Sequence, residues 1–266
     1  QGGMLRIDTI ADALMHAPAG GRALSVSLKA RSALMAARDV RAFPVWFSEG
    51  KFVTLPKAAP SATSPPRSSP ENASRALPVI QLTGAGSDWL PLANDSPPAN
   101  ADADDAPWER PPEGWTKTFP HHIPALNPPD FAALFAESPF AAATETQLAL
   151  NIMQRERYGR RGGMDFVMLS HSGLDLLAHD FGHHSREARD FLLRLDREIA
   201  ALLTALSAQA APGKFRVILS SDHGAAEIPY PATARLRSAS RPGRPRAPVL
   251  PCSAGTALAA PLWSSL

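Results

Sequence analysis

Near the start of the chain, Ile10, Leu14 and Met15 recur at helical spacing and predict a helix over Asp8 to His16 that Gly20 and Gly21 interrupt. A strand follows at Ala23 to Leu28. Phe43 to Phe47 and Phe52 to Leu55 are short, aromatic and β-branched, and Glu49-Gly50 between them predicts a hairpin. Farther on, Thr144 is a candidate cap for a helix running to Tyr158, with Leu148 and Ile152 on one face and Gly159 ending it. Asp165 to Leu169 reads as a strand. Ser185 then caps the longest helix, whose apolar stripe is Ala188, Phe191, Leu192, Leu195, Ile199, Leu202, Leu203 and Leu206. The opposite face is Arg, Asp and Glu. Pro212-Gly213 closes it, and Phe215 to Leu219 reads as a buried strand, completing a strand, long helix, strand unit of the kind that builds parallel sheets.

Between these ordered parts the texture changes. From Pro56 to Pro112 the chain is rich in Pro, Ser, Ala and Asp, so little there offsets the entropy of ordering it. The expectation is a largely flexible insertion, tacked down by Trp89, Leu90, Leu92, Trp108 and, just beyond, Trp115. After Tyr230 the pattern dissolves into Arg, Pro, Ser and Ala. The expected organisation is an α/β domain split between residues 1–55 and 113–230, an insertion over 56–112 and a disordered tail over 231–266.

Composition narrows the classes. The chain has 266 residues, 44% hydrophobic and 20% charged, enough for a globular core, and no apolar run approaches the roughly 20 residues that span a bilayer. A single cysteine, Cys252, cannot form an internal disulfide. The net charge of +2 conceals an asymmetry, because Arg235, Arg237, Arg241, Arg244 and Arg246 all follow the last acidic residue, Glu227. Clustered arginines can bind nucleic acid, but no recognition fold or aromatic interleaving accompanies them, and a disordered tail is the better reading. The chain begins at Gln1, with no initiator Met and no signal peptide, and is expected to be a piece of a longer protein.

In open α/β sheets, ligands gather at the carboxyl ends of strands. Two polar clusters sit there: His171-Ser172-Gly173-Leu174-Asp175-Leu176-Leu177-Ala178-His179 and Ser220-Ser221-Asp222-His223-Gly224. Asp175 and His179, four apart, share a face of a helical turn, and adjacent Asp222 and His223 can share an ion at a turn, each pair offering donors that zinc accepts. An isolated pair of this kind also reads as a capping Asp beside a surface His. After the first strand come Lys29 and Arg31, suited to an anion or simply to a solvated basic turn. His121-His122 and His183-His184 fit solvated loop and helix-start positions. Ser170, Ser172, Ser220 and Ser221 shape turns, since no G-x-S-x-G elbow marks a Ser-His-Asp hydrolase.

The stretch from Ser170 through the long helix to Ser221-Asp222-His223-Gly224 resembles the alkaline phosphatase superfamily, with its D-x-x-x-H and D-H-G motifs. His179-Asp180-Phe181-Gly182, Arg194-Leu195-Asp196 and Ser27-Leu28-Lys29-Ala30-Arg31-Ser32 are similar to the PafA-like bacterial alkaline phosphatase and type I phosphodiesterase-nucleotide pyrophosphatase branch, as is Val45-Trp46-Phe47 followed by Gly50-Lys51-Phe52-Val53-Thr54. The resemblance implies a partial alkaline-phosphatase-like α/β sandwich with a mainly parallel sheet. It further implies two zinc ions, one on Asp175 and His179 and one on Asp222 and His223, and a phosphate monoester held by Lys29 and Arg31. The implied partner is a phosphorylated small molecule, with no nucleic acid and no membrane, in a periplasmic or secreted setting. The family's nucleophile and a further Asp ligand lie well upstream of the S-L-K-x-R motif, and nothing in the 28 residues before Lys29 matches them. No His follows His223 to complete the first zinc site. No catalytic nucleophile is therefore identified, and Thr54 is not promoted to that role. The expected function is a zinc-dependent phosphate monoester hydrolase in an incomplete copy. The alternatives are a phosphodiesterase or nucleotide pyrophosphatase of the same superfamily and a non-catalytic zinc-binding remnant.

Overall fold

A computed structural model describes residues 7–17, 20–36, 42–55, 77–92, 101–125, 130–209 and 215–225. Helix α1 (Ile10–His16) opens on Thr9, whose hydroxyl accepts the Asp12 amide while the Asp12 carboxylate accepts the Thr9 amide. That reciprocal cap buries Asp12 and turns Ala11 and Met15 inward, leaving Ile10, expected on the apolar face, exposed.

The central sheet has the order β3-β2-β1-β6, built from β1 (Gly21–Ser27), β2 (Phe43–Ser48), β3 (Lys51–Thr54) and β6 (Met164–Ser170). β1 is parallel to both β2 and β6, and β2 and β3 form the expected hairpin, with Glu49 and Gly50 at φ 50° and 76° in its turn. Alternation along β1 defines two faces. Ala23 packs with Ala11, Met15 and Phe166, and the Ser25 hydroxyl donates to Ala33 O of α2 (Ala30–Met35). Leu24 and Val26 pack instead with Leu148, Ala149 and Ile152 of α4 (Pro139–Arg155). The result is a mixed α/β sandwich around a mainly parallel sheet. At one end Arg22 clamps it, donating to both Asp165 oxygens at 3.0 and 2.8 Å and to Glu156 O at 2.6 Å.

Helix α4 starts earlier than Thr144: Ser138, whose hydroxyl donates to Phe135 O, takes the N-cap position, and Pro139 suits the first helical position. Thr144 is an internal, buried residue whose hydroxyl donates to Phe140 O and accepts the Thr83 amide. Before α4 lies α3 (Phe131–Ala136), and after β6 come α5 (Gly173–Phe181) and α6 (Arg186–Gln209). Ser185 caps α6 as expected, its hydroxyl accepting the Ala188 amide. Glu187 and Asp190 of α6 are buried, not on a solvated polar face, and Leu192 of the expected stripe is exposed.

Part of the span expected to be a flexible insertion packs onto the core, residues 56–76 and 93–100 lying outside the described ones. Trp89 is buried and donates to Asp190 at 2.6 Å, and Asp190 also accepts the Leu92 amide at 2.8 Å. Short strands β4 (Asp88–Trp89) and β5 (His121–His122) pair, and His121 is fully buried, its ring 4.7 Å from Trp115 and 3.1 Å from Glu187. His121 therefore is not a solvated loop residue; the aromatic anchors enclose it.

The strand expected at Phe215 to Leu219 does not form. Residues 215–225 belong to no strand, and Ile218 and Leu219 are 89% and 82% exposed. Propensity alone cannot make a strand; it needs ladder partners and a covered face. Among the described residues no helix is long and apolar enough to cross a membrane. The tail after Ala225, with Cys252 and its arginines, lies outside the described residues, as does Pro212-Gly213.

Candidate active site

The parallel ends of β1 and β6 bring the sequence motifs together. Register pairs Ser27 with Ser170, so the turns after both strands emerge side by side. The Ser27 hydroxyl donates to Ser170 O and accepts the Lys29 amide, fixing Lys29 as the residue that opens α2. Across the gap, Asp175 lies in the first turn of α5, where a carboxylate complements the helix dipole. That helix starts close against its neighbours: a Cβ on Gly173 would stand 2.8 Å from Ala136 O and 2.9 Å from Phe191 Cζ. Glycine sets this approach.

Asp175 is the hub. Lys29 Nζ donates to its Oδ2 at 2.6 Å, while Oδ1 lies 3.6 Å from Nε2 of both His179 and His223. His223 Nε2 is also 3.7 Å from Asp222 Oδ2. The Lys29 ammonium, donating to it, holds the Asp175 carboxyl below the usual carboxylate range, and the two imidazoles act in the same direction. The hub itself is half-buried, whereas His179 and Asp222 are 75% and 90% exposed. Three of the other five sequence-predicted site residues, Lys29, His179 and His223, thus stand around the Asp175 carboxylate, and Asp222 stands beside His223. Arg31 is exposed on α2 and is not brought to this cluster.

In kind, the donors fit zinc, since carboxylate oxygens and imidazole nitrogens converge at a strand end. In arrangement, Lys29 occupies one Asp175 oxygen, and among the described residues no group of three or more His, Cys, Asp or Glu stands in metal-holding geometry. Behind the hub lies a polar layer that motif reading did not single out. His171 Nδ1 is 3.0 Å from Oε2 of Glu145, a fully buried residue of α4 whose pKa burial raises and His171 pulls back down. A carboxylate at position 145, within the apolar face that carries Ala141, Leu148 and Ile152, was the available signal.

The fold and the cluster define a class: α/β proteins that assemble ammonium, carboxylate and imidazole groups beyond the ends of adjacent parallel strands. Residues 41–240 match the family model for type I phosphodiesterase / nucleotide pyrophosphatase, and the chain belongs to that family, within the alkaline phosphatase superfamily. It is 28% identical over 219 residues to alkaline phosphatase PafA of Elizabethkingia meningoseptica, covering 77% of this chain and 37% of that protein. It is 29% identical over 143 residues to alkaline phosphatase PhoV of Synechococcus elongatus, covering 53% of this chain and 26% of that protein. The crystal structure of wild-type PafA superposes with a TM-score of 0.58 at 24% identity, covering 78% of this chain and 39% of that one, a likeness of fold. The chain spans well under half the length of these relatives.

Proposed function

We propose that this chain carries part of a zinc-dependent phosphate monoester hydrolase site, with a phosphorylated small molecule as substrate and a periplasmic or secreted working place. Neither a nucleic acid nor a membrane belongs to this reading. The observation that carries it is Asp175 accepting the Lys29 ammonium with His179 and His223 each 3.6 Å away, and Asp222 beside His223, in a chain of this family. Asp175 and His179 would hold one zinc ion and Asp222 and His223 the other. Zinc bound there would supply positive charge at the attacking and leaving oxygens of a phosphoryl transfer. Lys29 and Arg31 would neutralise the remaining phosphate oxygens, the Arg through a planar pair of donors. No nucleophile is assigned within the chain.

A phosphodiesterase is the second reading, favoured by the description of the matching family itself. Zinc stoichiometry of the purified chain, with hydrolysis of p-nitrophenyl phosphate and bis-p-nitrophenyl phosphate at alkaline pH, tests both. Bound zinc that Asp175→Ala and Asp222→Ala each reduce, with monoester turnover lost in Lys29→Ala, supports the monoesterase. Monoester turnover untouched by Lys29→Ala and Arg31→Ala overturns it in favour of the diesterase. Bound zinc with no turnover of either ester leaves a non-catalytic zinc-binding chain.

A further inference from the structure

We infer that Glu145 and His171 form a positioning pair that fixes Lys29 at the candidate site. Glu145 is fully buried on α4, and one oxygen of its carboxylate has a partner at the end of the sheet. That oxygen stands 3.0 Å from His171 Nδ1, on the residue after β6, and the backbone N–H of Leu28, next to Lys29, acts electrostatically on the same carboxyl. The pair therefore anchors the turn after β6, which carries Asp175, the acceptor of the Lys29 ammonium, and follows Ser170, whose carbonyl holds the Ser27 hydroxyl. The tie runs parallel to a second one through the Ser27 hydroxyl, which receives the Lys29 amide at 3.1 Å and reaches Ser170 O at 3.2 Å. The His171 imidazole also pulls the Glu198 carboxyl of α6 down against the burial that raises it.

A buried carboxylate and imidazole are costly, and replacing such pairs with apolar residues often leaves stability unchanged or improved. Structural clamping of β1 to β6 is already supplied at the opposite end by Arg22 and Asp165. What Glu145 and His171 hold is the end where the Lys29 ammonium must meet Asp175 to within hydrogen-bond distance. A looser turn after β1 would leave sheet and core intact and let the ammonium wander. The inference rests on reading Lys29 as a phosphate ligand, and its test separates the two.

The test is trace acetylation of the full 266-residue chain with acetic anhydride, read by mass spectrometry as the labelling of Lys29 relative to Lys51 and Lys117. Glu145→Gln and His171→Ala should each raise the Lys29 ratio by about threefold or more, the size expected for residues coupled through shared partners. His171→Asn, which retains a donor near the Nδ1 position, should stay close to the parent. A Lys29 ratio that neither Glu145→Gln nor His171→Ala moves overturns the proposal. If Glu145→Gln instead unfolds the chain, all three lysines rise together, and the contrast between His171→Ala and His171→Asn decides. Inorganic phosphate titration in the presence of zinc, followed by phosphorus NMR, runs alongside. Absent binding in the parent chain defeats the phosphate role of Lys29, and the labelling ratio still settles whether the pair positions it.

Discussion

Glu109 offers a measurable consequence of burying a carboxyl group. It is 2% exposed, and burial first, then the charge of Glu187, pushes its pKa up from 4.5 to about 8, against the pull of Lys117. The folded chain thus keeps a proton at Glu109 that the unfolded chain releases near pH 4.5, so between the two values the native state binds more protons. Stability must fall as pH rises through that window, by at most about 1.4 kcal/mol per pH unit and about 5 kcal/mol in all. Against a typical domain stability of about 5–15 kcal/mol, that loss is large. Glu137, raised to about 7 by burial and by Asp180, adds a loss of the same sign at lower pH. Urea unfolding followed by tryptophan fluorescence from pH 5 to 9 measures the slope. Glu109→Gln, a neutral isostere, should match the parent at pH 5 and exceed it by a few kcal/mol at pH 9, which is roughly one proton's worth of slope. Parallel pH profiles for parent and variant would refute the reasoning.

Asp190→Ala strands the Trp89 indole and the Leu92 amide, and should cost about 3 kcal/mol or more in urea unfolding, with Asp190→Asn recovering part of it. Gly173→Ala drives a methyl into Ala136 O and the Phe191 ring and should cost about 1–3 kcal/mol, read as a lower urea midpoint at unchanged m-value. Lys29→Ala removes the donor that depresses the Asp175 carboxyl, so carbon-detected NMR titration should find that carboxyl titrating at higher pH; an unmoved titration would mean that another group holds it down.

Much of this fold is readable in the sequence where local pattern and tertiary need agree. The β2–β3 hairpin announces itself by aromatic runs flanking Glu49-Gly50, and the α6 start by Ser185. The α4 boundary escaped because Thr144, a good capping type, sits mid-helix, while Ser138-Pro139 carries the true start. Phe215 to Leu219 has strand composition, yet pairing is a tertiary fact that composition does not encode. At the site, Lys29 and Asp175 follow β1 and β6, strands that local pattern marks, whereas the strand expected before Asp222 and His223 does not form. Glu145, His121 and Glu187 were hidden for the opposite reason: polar residues buried by distant segments carry no local mark beyond interrupting an apolar face.

The two halves of the candidate site differ in how much order they possess before any ligand arrives. Lys29 and Asp175 are anchored by the sheet and by α5, whereas Asp222 and His223 ride on an exposed stretch outside any helix or strand, from which His223 meets Asp175 at 3.6 Å. A ligand that engages both halves surrenders part of its binding free energy to fasten the second to the first. Its measured affinity therefore understates the strength of its contacts, and pre-organising residues 215–225 would tighten binding without adding a single new one.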